Sequence, residues 1–250
     1  MRLEVYLNAR GERRFVGLLG DILFEYDKRF LDSGIELSPF LLPLRPGVAS
    51  DPKRTFDGLF GVFNDSLPDG WGLLLLDRLL RRSGLPLERI TPLSRLSLVG
   101  SGGMGALEYE PVTPDPDPLP ERIDLDGVAE EAWRTLNEDP LPVETLRTLM
   151  ALNGSSCGAR PKIMVRVSGD RRLIVPDAVA EPGCDPWLIK FPARHDDPAI
   201  GRMEYACSLA AKRAGIEMPD TALFPGRDGA AYFGVRRFDR EDGGKVHVHT

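Results

Sequence analysis

The chain has 250 residues, 42% of them apolar, with a net charge of -6 and an isoelectric point near 5.3. That length holds two modest domains or one large one, each with a core. The acidic balance excludes a protein that coats nucleic acid by charge alone, though not a DNA-bound partner. Apolar runs such as Leu73 to Leu76 are far shorter than a membrane span. The opening MRLEVYLN has no apolar core of a signal peptide, so the expected location is the cytoplasm, with no membrane partner. Cys157, Cys184 and Cys207 form no CxxC and no disulfide framework, as suits reduced thiols.

In chain order, Leu3, Val5 and Leu7 alternate with polar residues and predict a strand, turned at Asn8 to Glu12. Phe15–Leu19 and Ile22–Tyr26 continue the hairpin, broken at Gly20-Asp21. Residues 32 to 55 are rich in Pro, Gly and Ser and predict loops with short extended pieces. From Leu67-Pro68-Asp69, the spacing of Trp71, Leu75, Leu76, Leu79 and Leu80 predicts an amphipathic helix closed by Gly84. A short helix is expected over Leu93–Leu98. Gly100 to Gly105 matches GxGxxG but precedes a strand, whereas a dinucleotide fold needs strand, turn, then helix, so it reads as a tight turn.

Between Glu110 and Glu144 there are eleven acidic residues against Arg122 and Arg134. Pro111, Pro114, Pro116, Pro118 and Pro120 stiffen its start. The expected division is therefore an N-terminal subdomain over 1–112, an acidic connector over 113–144 containing a short helix Val128–Leu136, and a second domain over 145–250. In that domain a helix after Pro142 ends at Asn153-Gly154. Strands follow over Lys162–Val167, Arg172–Val175 and Trp187–Phe191. A helix capped by Asp197-Pro198 runs to Ala214, and a last strand runs from Tyr232 to Phe238. His247 and His249 alternate as on a strand end, with no third metal ligand nearby.

The second half sets out four parts in order: a glycine- and serine-containing loop at Gly154–Lys162, Lys190 on a strand, Glu204 on the next helix, and a strand leading to a polar segment. Kinases use such a set to approach phosphates with backbone N–H groups, neutralise them with lysine and orient that lysine with glutamate. Each part alone is weak. The loop is neither Walker A nor the kinase GxGxxG, and a strand lysine commonly snorkels to the surface.

The residues also resemble a known family. Phe56–Gly72 (FDGLFGVFNDSLPDGWG) and Gly103–Glu110 (GMGALEYE) resemble the N-terminal signature of HipA-family toxin kinases. Gly158-Ala159-Arg160-Pro161-Lys162, Trp187–Pro192, Glu204–Leu209 with Ala214–Pro219, and Arg237–Arg240 resemble the family's phosphate loop, lysine strand, helix and hinge. The resemblance implies an α+β fold, a β-rich N-terminal subdomain followed by a protein-kinase-like N-lobe. It implies a serine/threonine protein kinase of a toxin–antitoxin module, using ATP and Mg2+ on a translation-related protein such as an aminoacyl-tRNA synthetase. It implies as partner a HipB-like helix-turn-helix antitoxin, through which alone DNA would be reached.

By the same resemblance Ser156, Cys157, Gly158, Ala159, Arg160 and Pro161 wrap the phosphates, Lys190 holds phosphate oxygens and Glu204 positions it. The backbone of Arg236, Arg237 and Phe238 meets the adenine, and Ser155 is the autophosphorylated loop serine, whose phosphate would expel the loop. Two positions depart from the family pattern: Arg236 stands where an acidic residue is usual, and Cys157 where a small one is. The family's catalytic Asp and metal-binding Asn and Asp lie in a helical C-lobe, expected beyond Thr250, so this chain alone is expected to be inactive. The alternative is a non-catalytic module that binds an antitoxin or another kinase chain.

Overall fold

The computed structural model describes residues 1–20, 22–82, 90–112, 118–137, 139–241 and 244–249. Asp21, Gly84, Pro114, Pro116 and Thr250, singled out above, lie outside these. The architecture is mixed α+β and divides into two units. The first is Met1–Pro68, Gly84–Pro116 and Asp239–Thr250, and the second is Asp69–Ser83 and Asp117–Phe238. The chain thus passes between units more often than a linear division at 112 and 145 allows. No described helix is long and apolar enough to cross a membrane.

In the first unit the alternation at Leu3, Val5 and Leu7 becomes β1 (Arg2–Ala9), whose three apolar side chains are buried. It pairs with β2 (Glu12–Gly20), which pairs with β3 (Leu23–Tyr26), and that with β4 (Val48–Ser50). On the other side β1 pairs with β5 (Leu107–Glu110), giving an antiparallel sheet ordered β4-β3-β2-β1-β5. Two four-residue helices went unpredicted, α1 (Lys28–Leu31) and α2 (Gly61–Asn64). They are too short for periodicity to register, yet each adds to the core, through Phe30 and through Val62 and Phe63.

The Gly100–Gly105 segment is a turn between α4 (Pro92–Val99) and β5, as its glycines at φ +53° and +72° require. That turn is held by Asp239, whose carboxylate accepts the Gly105 N–H at 2.9 Å and pairs with Arg240 at 2.6 Å.

Beyond Asp239 the chain lies along the first unit as a strap. Lys245 Nζ donates to Glu108 at 2.7 Å. The two histidines are not on a strand: the short β12 (Gly244–Lys245) pairs with β11 (Arg240–Glu241) and ends before them. Instead each histidine anchors the strap. His247 Nε2 donates to the Leu37 carbonyl at 3.0 Å, and His249 lies 2.9 Å from Ser38 Oγ and 2.8 Å from Asp65 Oδ2.

Burial pushes the His247 imidazole below its ordinary value of 6.5. The unfolded chain then binds a proton near 6.5 while the folded one resists it. Stability of the first unit is expected to be full above that pH and to fall as pH drops towards the depressed value, by at most about 1.4 kcal/mol per pH unit from this group. Amide exchange in β1 and β5 at pH 7.5 and 5.5 measures this. His247→Gln should flatten the dependence, and an equally steep dependence in the variant would refute the assignment.

The second unit opens with α3 (Gly70–Arg82), whose predicted stripe of Trp71, Leu75, Leu76, Leu79 and Leu80 is buried. It packs against α6 (Val143–Asn153), which buries Leu146, Leu149 and Met150. Part of the expected connector is instead packed structure. In α5 (Leu125–Leu136) Val128, Ala132 and Thr135 are buried against this unit, and Asp126 accepts hydrogen bonds from the Arg227 N–H and Tyr232 Oη.

The sheet of this unit is ordered β7-β6-β8-β10-β9: β6 (Lys162–Ser168), β7 (Ile174–Pro176), β8 (Cys184–Lys190), β9 (Thr221–Pro225) and β10 (Ala231–Arg236), all antiparallel. β9 was not foreseen, and the strand predicted to reach Phe238 stops at Arg236. α7 (Ile200–Arg213) begins after the expected Asp197-Pro198 cap. Those two residues form a preceding turn in which Asp197 accepts the Ala199 N–H at 2.7 Å. α7 lies close on β10, because a side chain at Gly201 would run into the Ala231 carbonyl.

Candidate functional site

The loop between α6 and β6 is packed rather than loose. α6 closes at Gly154, whose N–H donates to Met150 O at 3.1 Å with φ at +57°. Ser155 and Ser156 follow fully buried, with Ser156 Oγ 3.1 Å from both the carbonyl and the side-chain oxygen of Asn153. Cys157 is exposed, which is why a thiol fits where small residues are usual. Gly158 adopts φ +108°, a conformation open to glycine, and Ala159 turns outward. Pro161 is buried at the entrance to β6.

Strand register then brings two lysines together. Lys162 opens β6 and Lys190 ends β8, and they are directly opposite each other. Side chains of directly opposed residues share a face, so two ammonium groups are held beside the loop. Lys162 is 4% exposed and donates to the Cys157 carbonyl at 2.5 Å. Burial pushes its ammonium below the usual lysine range, and the charge of Lys190 pushes the same way.

Lys190 Nζ donates to Glu204 Oε2 at 2.9 Å from α7. The other oxygen of Glu204 accepts from Arg160 Nη1 at 2.9 Å. Arg160 in turn forms a two-point contact with Asp196, Nε to Oδ2 at 2.8 Å and Nη2 to Oδ1 at 3.2 Å. The hydrogen bond from Arg160, with that from the Ala193 N–H, holds the Asp196 carboxyl below its usual range. The chain Lys190–Glu204–Arg160–Asp196 thus fixes the loop's arginine and the strand lysine to one carboxylate.

The hinge residues stand apart from this chain. Of the backbone groups expected to meet adenine, two N–H groups are engaged inside the unit: Arg236 N–H donates to Asp220 O at 2.8 Å and Arg237 N–H to Pro186 O at 2.9 Å. The Arg236 side chain is exposed and pairs with Asp185 at 2.9 Å. The Arg237 guanidinium is 1% exposed and pairs with Asp177 at 2.7 Å. Phe238 is exposed.

Spacing missed Asp196 and Asp69 as members of the site and read Lys162 only as the end of the loop. Asp69 stands 89 positions before Gly158, whose N–H it accepts. Only the register of Lys162 could have been foreseen, by pairing the two predicted strands antiparallel. Among the described residues no cluster of three or more His, Cys, Asp or Glu is placed to hold a metal ion.

Residues 3–110 match the family model described as the HipA N-terminal domain, and residues 154–250 match that of the HipA-like C-terminal domain. The chain belongs to the HipA family. As a HipA-like chain it is a toxin–antitoxin protein, and the second of its matches begins at the glycine that closes α6. A search of curated proteins finds no match.

Proposed function

We propose that this HipA-family chain grips the phosphates of ATP between the 155–161 loop and the Lys162–Lys190 pair, as the nucleotide-holding part of a serine/threonine protein kinase. The observation that carries the reading is the pair itself. Like charges directly opposite on adjacent strands repel and cost stability. A polyanion placed against both ammonium groups offsets that cost and restores the charge that burial disfavours at Lys162. Lys190, held by Glu204, faces phosphate oxygens, and Ser156 to Pro161 wrap them. ATP supplies the transferable phosphoryl group when bound.

At the hinge the Arg236 and Arg237 N–H groups are engaged within the unit, and the exposed Phe238 ring is offered to the adenine. Mg2+ would accompany the nucleotide, and among the described residues no cluster of three or more His, Cys, Asp or Glu is placed to hold it. The family reading extends the proposal to a translation-related protein substrate, a helix-turn-helix antitoxin as partner, and Ser155 as a site of self-phosphorylation.

Calorimetric titration of Mg-ATP into the 250-residue chain tests the core of the proposal. One saturable site is expected, weakened in Lys162→Met and competed by inorganic triphosphate. Absence of binding by the unsubstituted chain would overturn it. Phosphopeptide mapping with Mg-ATP of the chain joined to a HipA-family catalytic C-lobe tests the extension to Ser155, and phosphate found solely at other residues would contradict it.

A further inference from the structure

The segment that starts α3 meets the loop at Gly158 from both sides. The Asp69 carboxylate accepts the Gly158 N–H, and the Trp71 N–H donates to the Gly158 carbonyl at 3.2 Å. Between them Gly70 has φ +42°, and a Cβ there would sit 2.8 Å from the Gly158 carbonyl carbon and 2.9 Å from Ala159 Cα. Backbone meets backbone at this point, and no other residue type fits without displacing the loop. Both polar groups of Gly158 are therefore tied to a segment far away in sequence. None of these three residues belongs to the Lys190–Glu204–Arg160–Asp196 chain.

We infer that Asp69, Gly70 and Trp71 form a two-point clamp that fixes the shape of the phosphate loop, with Asp69 as a positioning residue that acts through Gly158. The inference rests on the nucleotide reading for its role in binding, though not for the clamp itself. A glycine at φ +108° flanked by an exposed cysteine and an exposed alanine has little packing of its own to hold it. The loop residues that lie deeper, Ser155 and Ser156, are secured by burial, so the clamp acts where burial does not. Asp69, Gly70 and Trp71 thus sit far from the loop in sequence yet beside it in space. A charge-assisted acceptor on a backbone N–H is worth about a tenfold change in the population of the clamped loop, or more.

The test is amide hydrogen exchange on the full chain without ligand, followed by Mg-ATP titration. Asp69→Ala should speed exchange across residues 157–159 by about tenfold or more and weaken Mg-ATP binding by a similar factor, with β6 and β8 unchanged. Asp69→Asn retains an acceptor oxygen without the charge and should restore both readouts in part. Gly70→Ala should loosen the loop with Asp69 intact, and it decides the matter if Asp69→Ala unfolds the unit and speeds exchange in β6 as well. Loop exchange that is unchanged in Asp69→Ala, or not rescued by asparagine, overturns the clamp. Failure of the unsubstituted chain to bind Mg-ATP overturns the nucleotide reading instead and leaves the exchange result to judge the clamp.

Discussion

Replacing Lys190 by alanine is expected to weaken Mg-ATP binding by about tenfold to hundredfold, the cost of one charge-assisted contact to phosphate. Any phosphoryl transfer should fall further, by about a hundredfold or more, because a positioned charge is not replaced by water. Two effects combine at this position. The ammonium is lost from the phosphates, and Glu204 loses one of its two cations. The remaining partner, Arg160, is held away by its two-point contact with Asp196 and cannot substitute for the lysine. Glu204→Gln should give a smaller loss, since the amide oxygen can still accept from one of the two cations. Calorimetry on the chain measures the first effect, and a radiolabel assay with a HipA-family catalytic C-lobe joined to it measures the second. Undiminished affinity in Lys190→Ala would remove the lysine from the site.

The second large effect concerns stability. Arg237→Ala should destabilise the second unit by about 3–5 kcal/mol, because it leaves the Asp177 carboxylate in a largely buried position without the guanidinium that faces it. Arg166, whose Nε lies 3.2 Å from the Asp177 carbonyl, can compensate only in part. All three tryptophans, Trp71, Trp133 and Trp187, lie in this unit, so their fluorescence during urea unfolding reports on it alone. A loss below about 1 kcal/mol would show that the pair contributes as a surface bridge does. A double variant, Asp177→Asn with Arg237→Met, should lose less than the sum of the single changes, since each removes the burden left by the other.

Much of the fold was legible in the sequence because it rests on local periodicity. The alternation at Leu3, Val5 and Leu7 and the four-residue spacing of Trp71, Leu75 and Leu79 each need only one element to be read. Sequence spacing failed where the organising contact is long-range. The proline-rich, acidic stretch looks like a linker because its charge is visible and its partners are not. Asp126 becomes structural solely through Arg227 and Tyr232, a hundred positions on.

The same holds at the site. Lys190 and Glu204 were found because they are close in sequence and sit on regular elements. Asp196 lies in a turn, and Asp69 precedes its partner by most of a domain. The burial of Arg237 was equally hidden, since an arginine after a strand reads as exposed until the register of β8 and β10 is known. The buried Ser155 and Ser156 show the converse: glycine and serine in a loop signal freedom, and packing removes it.

The strap at the first unit has a consequence for the order in which this protein matures. Glu108, Leu37, Ser38, Asp65 and Gly105 find partners in Lys245, His247, His249 and Asp239, which leave the ribosome after the whole second unit has been made. Vectorial synthesis would normally let the first unit fold first. Here it waits in an incomplete form, with its Gly100–Gly105 turn unsecured, until the intervening residues have been translated. Contacts that span most of the chain also make its closure slow. During that interval the nascent first unit lacks these contacts and is open to proteolysis or to capture by a chaperone.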